Sequence, residues 1–111
     1  MTLIREVNRL TTLSIIIPTL NESKTLPLLL SDLSELDYVS EIIIIDAFSK
    51  DKTIDIAKVY GAKFFQTNNR NRGLQLNLGA MKSKGEWLLF IHADSRLKFN
   101  WSKEIEKLIK K

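Results

Sequence analysis

Leu13, Ile15, Ile16 and Ile17 form a short β-branched run, and Ile42 to Ile45 and Trp87 to Ile91 are two more. A strand with one wet face alternates apolar and polar residues, whereas these runs do not alternate. Each is therefore read as a strand buried on both faces, the pattern of parallel strands covered by helices on two sides. Ala62 to Gln66 is a weaker fourth candidate. Between the runs the period lengthens. Leu26, Leu29, Leu30, Leu33 and Leu36 fall on one face of a helix, with Pro27 in its first turn, where a missing N–H costs little. Ile54, Ala57 and Tyr60 suggest a second helix, with Asp51 or Ser49 as N-cap and Gly61 as its stop. A third is expected from about Asn71 to Lys84, burying Leu74, Leu78 and Met81 and ended by Gly85; a fourth carries Trp101, Ile105, Leu108 and Ile109 on one side.

Strand and helix thus alternate four times, without repeats and without a linker that would mark a domain boundary. This predicts one α/β domain over residues 1–111, a three-layer sandwich around a parallel, Rossmann-like sheet. Right-handed crossovers give the strand order 3-2-1-4. In such a sheet ligands bind beyond the carboxyl ends of the strands, at the switch point between strands 1 and 4.

Composition narrows the chemistry. With 111 residues the chain holds one core, and 44% hydrophobic with 27% charged residues excludes a disordered or low-complexity chain. Cysteine is absent, which removes disulfides, thiolate zinc sites and cysteine nucleophiles. The expected compartment is the cytoplasm, including the periphery of the inner membrane face. One histidine cannot build a multi-histidine metal site. The net charge of +4 is concentrated at Lys103, Lys107, Lys110 and Lys111, a solvated helix face on the plainest reading. No nucleic-acid reader motif accompanies it, and no nucleic-acid partner is expected. The apolar runs fall far short of the roughly 20 residues of a membrane span. Arg5, Glu6 and Arg9 precede a stretch that runs into Pro18 without a cleavage site, so a signal peptide is not expected either.

Polar residues gather where the sheet should bind. After strand 1 come Pro18, Thr19, Leu20, Asn21 and Glu22; after strand 2, Asp46; after strand 4, His92, Ala93 and Asp94. Each has a structural reading beside a functional one. Asn21 or Ser23 could cap the first helix, Glu22 could serve its dipole, and Asp46 could begin a turn. Asp94, shortly after the five apolar residues Trp87 to Ile91, is better explained as a ligand or metal group. A dinucleotide site would need G-x-G-x-x-G in the first loop, which instead reads P-T-L-N-E-S-K, and a P-loop is missing too.

The motifs S-I-I-I-P-T-L-N-E (Ser14–Glu22), E-I-I-I-I-D (Glu41–Asp46), S-x-D-x-T (Ser49–Thr53), R-x-x-Q-x-N-x-G-A (Arg72–Ala80) and G-E-W-L-L-F-I-H-A-D (Gly85–Asp94) resemble family 2 glycosyltransferases. The closest resemblance is to a bacterial subgroup with H-A-D after the fourth strand. It implies the A-type glycosyltransferase fold and a nucleotide diphosphate sugar as donor, a UDP-sugar above all. It also implies Mn²⁺ or Mg²⁺ held by the last acid of a D-x-D motif, the place of Asp94, with His92 where the first acid stands. By the same resemblance Pro18, Thr19, Asn21 and Glu22 line the nucleotide pocket and Asp46 accepts from the base N–H. Arg72 lies near the base and diphosphate, and Gln75 and His92 complete the binding set, His92 also being a candidate metal ligand. Gly73 and Gly79 cost about 1 kcal/mol each in a helix, so something comes close: a ligand, or strand 4. Phe48 departs from the small residues usual there, and narrows the pocket or stacks on a ligand.

Inverting transfer also needs a general base, which in this family comes from the second half of the domain. After Asp94 the carboxylates are Glu104 and Glu106, each beside a lysine. The chain is expected to be the donor-binding half, without the acceptor-binding half. It would be a truncated reading frame, a homo-oligomer or a subunit completed by another, or else a non-catalytic nucleotide-binding or assembly module derived from a truncated glycosyltransferase. Strand 4 would end the sheet with its edge bare, which predicts self-association through that edge or around Trp101.

Overall fold

The computed structural model describes residues 2–5, 12–36, 38–68, 70–97 and 100–109; the basic residues Lys110 and Lys111, like Glu6 and Arg9, lie outside them. In chain order the elements are β1 (Thr2–Arg5), β2 (Leu13–Thr19), α1 (Leu26–Ser34), β3 (Val39–Asp46), α2 (Thr53–Val59), β4 (Lys63–Gln66), α3 (Arg72–Lys82), β5 (Trp87–Phe90) and α4 (Trp101–Ile109). The sheet order is β1-β5-β2-β3-β4. Its four parallel members, β4-β3-β2-β5, reproduce the expected 3-2-1-4.

The continuous apolar runs divide by parity. Ile15, Ile17, Ile44 and Leu89 face a core with Leu26, Leu29, Leu30 and Leu33 of α1, Ala57 of α2, and Ile105 and Ile109 of α4. Ile16, Ile43, Ile45 and Leu88 face the other side, against Leu76, Leu78 and Ala80 of α3. Three helices cover one face and α3 covers the other. The stop of α2 follows the expectation: Gly61, at φ +75, donates to the Lys58 carbonyl and Ala62 to that of Ala57, a Schellman closure.

Two expectations fail. The outer edge of β5 is paired: β1 lies antiparallel on it, Thr2 opposite Phe90 through Arg5 opposite Trp87. That edge is therefore not bare, and self-association through it has no basis. In α3 the fully buried residues are Gln75 and Gly79, while Leu74 is 50% and Met81 81% exposed, so two of the three expected core positions point outward. The reason is close packing. A Cβ on Gly79 would stand 2.3 Å from Ile16 Cγ2, so the glycine sets α3 against β2 rather than against strand 4 or a ligand. Gly73 is exposed, and an added Cβ there would meet Asn71 Oδ1, the oxygen that caps the helix by accepting from the Leu74 amide.

At the amino ends of the strands one carboxylate gathers four segments. Glu41 accepts from Ser14 Oγ (2.6 Å), from the Lys84 amide (2.6 Å) and from Lys63 Nζ (2.9 Å), and Ser14 Oγ in turn accepts from the Gly85 amide (2.8 Å). Burial pushes the Glu41 carboxyl up, but the donors from Ser14, Lys63 and Lys84 outweigh it and hold the group below its ordinary value.

Candidate functional site

At the opposite pole the register places Thr19 beside Asp46. Thr19 Oγ1 donates to Asp46 Oδ1 (2.6 Å), Ser49 Oγ donates to the same oxygen, and the Ser49 amide donates to Oδ2 (2.8 Å). Asp46 is 0% exposed. Both its oxygens accept protein donors, which ties the ends of β2 and β3 together. Gln75 has a similar structural part. At 3% exposure its Nε2 donates to the carbonyls of Ile45 (2.9 Å) and Thr19 (3.3 Å), satisfying strand-end acceptors from α3.

The loops after β2 and β3 are clasped. Asn21 and Phe48 both have positive φ, 55 and 57, a region asparagine tolerates and phenylalanine rarely enters. The Asn21 amide donates to Ser49 Oγ (2.7 Å), Asn21 Oδ1 accepts from the Lys50 amide (2.8 Å), the Glu22 amide donates to Thr53 Oγ1 (2.9 Å), and the Ser23 amide donates to Asp51 Oδ2 (3.0 Å). Ser49 and Thr53 each relay a loop amide to a carboxylate, Asp46 and Asp51 respectively. This is what the S-x-D-x-T spacing accomplishes. Neither Asn21 nor Ser23 caps α1, whose N-cap is Thr25; the Glu22 carbonyl takes the Leu26 amide.

Burial pushes the Asp51 carboxyl up, but hydrogen bonds from Thr53 and Ser23 prevail and bring it down to about 2. Its folded value lies below the unfolded value of about 3.9, so its contribution is whole above about pH 4 and disappears as pH falls through about 2. Because Asp51 is exposed, solvent screening leaves about 1 kcal/mol or less of this. Denaturation midpoints measured from pH 5 to pH 2 should fall less steeply in Asp51→Asn than in the parent; parallel curves would refute the clasp.

Beyond β5, Arg72 Nη1 lies 2.5 Å from His92 Nδ1, joining the start of α3 to the H-A-D turn. The turn closes through the Ser95 amide on the His92 carbonyl (3.0 Å). Asp32 of α1 anchors the following chain: it accepts from Arg96 Nε (2.8 Å) and Nη2 (3.0 Å) and from the Leu97 amide (3.0 Å). The Arg96 hydrogen bond holds the Asp32 carboxyl below its usual range against the opposing effect of burial. Asp94 is exposed, and no hydrogen bond or ion pair engages its carboxylate among the described residues.

A cavity of about 200 Å³ is lined by Pro18, Thr19, Leu20, Glu22, Arg70, Arg72 and Gln75. Five expected residues thus meet in one place. Asn21, Asp46, His92 and Asp94 are outside its lining, Asp46 behind Thr19 and His92 beside Arg72. Leu20 and Arg70 were not foreseen as site residues; an arginine two residues before Arg72 at a helix start was the available signal for the latter. A larger groove of about 380 Å³ between α1 and α2, with Pro27, Ile56, Val59 and Tyr60 in its walls, meets none of the strand ends.

Four parallel strands in this order with helices on both faces define an α/β domain of the A-type glycosyltransferase fold. The model of the family "Glycosyl transferase family 2" matches residues 14–111, and the chain belongs to that family. It is 32% identical to human dolichyl-phosphate beta-glucosyltransferase over 86% of this chain and 35% of that protein. It is 36% identical to 4,4'-diaponeurosporenoate glycosyltransferase of Staphylococcus haemolyticus, over 84% of this chain and 27% of that one. The chain therefore spans about a third of the length of these relatives. Among solved structures, S. aureus TarS 1-349 in complex with UDP superposes with a TM-score of 0.76 at 26% identity, covering 89% of this chain and 32% of that one. Mycobacterium tuberculosis glucosyl-3-phosphoglycerate synthase in complex with Mn²⁺, UDP and glucosyl-3-phosphoglycerate gives 0.65 at 27%, covering 77% and 35%.

Proposed function

We propose that this chain forms the donor-binding half of an inverting glycosyltransferase that takes a nucleotide diphosphate sugar, a UDP-sugar in particular. The observation that carries the reading is the cavity at the carboxyl end of β2, where Arg70 and Arg72 bring two guanidinium groups to the start of α3 beside Glu22. Guanidinium forks match phosphate oxygens, so the arginines hold the diphosphate, while Pro18, Thr19 and Leu20 form the wall behind it. The UDP complexes of similar structures support the choice of nucleotide.

The described residues hold no cluster of three or more His, Cys, Asp or Glu side chains that would cage a metal. One unengaged carboxylate, Asp94, fits a hard cation shared with substrate oxygens, the way Mg²⁺ or Mn²⁺ is held with phosphates. When bound, such a cation offsets the charge of the leaving diphosphate. Acceptor binding and the general base belong to residues outside this donor half. Cytoplasmic location, or the periphery of the inner membrane face, belongs to the same proposal; no helix among the described residues is long and apolar enough to cross a membrane.

Calorimetric titration of the chain with UDP tests the reading. Affinity should be at least about tenfold higher with Mn²⁺ than with a chelator. Failure of UDP to bind at millimolar concentration in the presence of Mn²⁺ would defeat it.

A further inference from the structure

α3 differs in charge from the other three helices. α1 carries Asp32, α2 Asp55, and α4 Glu104 and Glu106, whereas α3 has no acid. The acid-free stretch extends beyond the helix: from Ile56 to Gly85 no carboxylate interrupts Lys58, Lys63, Arg70, Arg72, Lys82 and Lys84. α3 also covers its face of the sheet alone. Glu41, which alternation sets on the same side as Ile43 and Ile45, is buried there and engaged by Ser14 and Lys63. Outside α3, the exposed Lys82 and Lys84 therefore meet solvent without a neighbouring acid on their own segment.

The same helix turns an apolar stripe outward. Leu74, Leu78 and Met81 stand at i, i+4 and i+7, one line along a helix. Leu74 and Met81 are exposed and Leu78 is half-buried. Lys82 borders the stripe with Nζ 5.0 Å from the centre of the Phe65 ring, and that partly buried ring of β4 widens it. Isolated apolar residues on a surface need no explanation, but a line of them edged by lysines describes an interfacial helix face. A second copy of the chain does not fit this face. Two α3 helices packed antiparallel would set Arg72 against Lys82, and packed parallel they would set Lys82 against Lys82. The occupant must carry negative charge and accept a convex apolar ridge, which a fluid bilayer does without a matching groove.

We propose that the outer side of α3 rests on an anionic membrane surface, Leu74 and Met81 entering the headgroup boundary and Lys82 and Lys84 meeting acidic lipid headgroups. This deepens the peripheral location proposed above by giving it a contact surface. Flotation with vesicles tests it. Phosphatidylcholine vesicles with about 30% phosphatidylglycerol should bind the chain at least about tenfold more tightly than phosphatidylcholine alone, and added salt should shrink the difference. Lys82→Gln with Lys84→Gln should weaken binding by about tenfold or more, roughly fivefold for each cation. Lys103→Gln with Lys107→Gln on α4, an equal change in net charge, should leave it within about twofold of the parent. Leu74→Gln with Met81→Gln keeps the charge and should still cost about tenfold. The chain has no cysteine, so Met81→Cys places an environment-sensitive fluorophore at a single position. Its emission should shift to the blue with anionic vesicles, whereas the same label on Lys107→Cys should not respond.

Absence of binding to anionic vesicles would overturn the proposal, as would an equal loss from the α4 pair. Loss with the lysine pair but not with the apolar pair would overturn it in favour of a soluble acidic partner. If anionic vesicles bind the parent and every α3 variant alike, the peripheral location stands and this surface falls. UDP titration is a separate measurement, so the donor-site reading stands or falls without the membrane.

Discussion

Gly85→Ala should destabilise the chain by about 3 kcal/mol, the upper part of the usual range for overpacking. An added Cβ would lie 2.5 Å from Ser14 Oγ, 2.7 Å from the Ser14 amide nitrogen and 3.1 Å from the Leu13 carbonyl carbon. A Cβ has no rotamer, and two of these neighbours are backbone. Relief requires the turn before β5 to move away from β2, which breaks the Gly85–Ser14 hydrogen bond and disturbs the Ser14–Glu41 bond behind it. Gly61→Ala is the informative comparison. Nothing lies within 4 Å of its added Cβ, and only its φ of +75 opposes the change, worth about 1 to 2 kcal/mol. Urea unfolding should therefore show a larger midpoint loss for Gly85→Ala than for Gly61→Ala. The reverse order would mean that the turn has slack and that the Glu41 network does not hold it.

Asp94→Asn should remove most of the metal-dependent part of UDP binding, about tenfold or more, while leaving the unfolding midpoint within about 0.5 kcal/mol of the parent. The two halves of this expectation have one origin. The carboxylate is exposed and has no protein partner among the described residues, so folding gains little from it and a cation would gain its full charge. Asparagine keeps the shape and one acceptor oxygen but loses the charge. Binding measured with and without Mn²⁺ decides the matter: an unchanged ratio in the variant would leave Asp94 without a metal role.

The sheet was legible because burial on both faces leaves a mark that survives without coordinates, namely apolar residues at successive positions from Ile15 to Ile17 and from Ile42 to Ile45. β1 left no such mark. Four residues, T-L-I-R, are too few for either period to declare itself, and an edge position asks little of its side chains. The site was legible through the family resemblance, which named Pro18, Thr19, Glu22, Arg72 and Gln75, all in the cavity lining. Asp46 belongs to the same motifs but is buried behind Thr19, and a motif does not show that a carboxylate receives three protein donors. α3 misled through its packing: Gly79 brings the helix so close to Ile16 that Gln75 and Gly79 are its buried positions, with Leu76 and Leu78 partly buried beside them and Leu74 and Met81 exposed.

The clasp between the loops after β2 and β3 bears on affinity as well as stability. Four hydrogen bonds hold residues 21–23 against residues 49–53 before any ligand arrives. A molecule entering beside Glu22 meets a lip whose backbone freedom was already surrendered when the chain folded. The ordering penalty of binding then falls on Arg70 and Arg72, both exposed, each about 2 kcal/mol at most for a long flexible side chain. Arg72 has already given up part of its share to His92. Half of the cavity is a rigid mould and half a pair of movable hands, and under the proposed donor-site reading discrimination between nucleotides of different shape belongs to the mould.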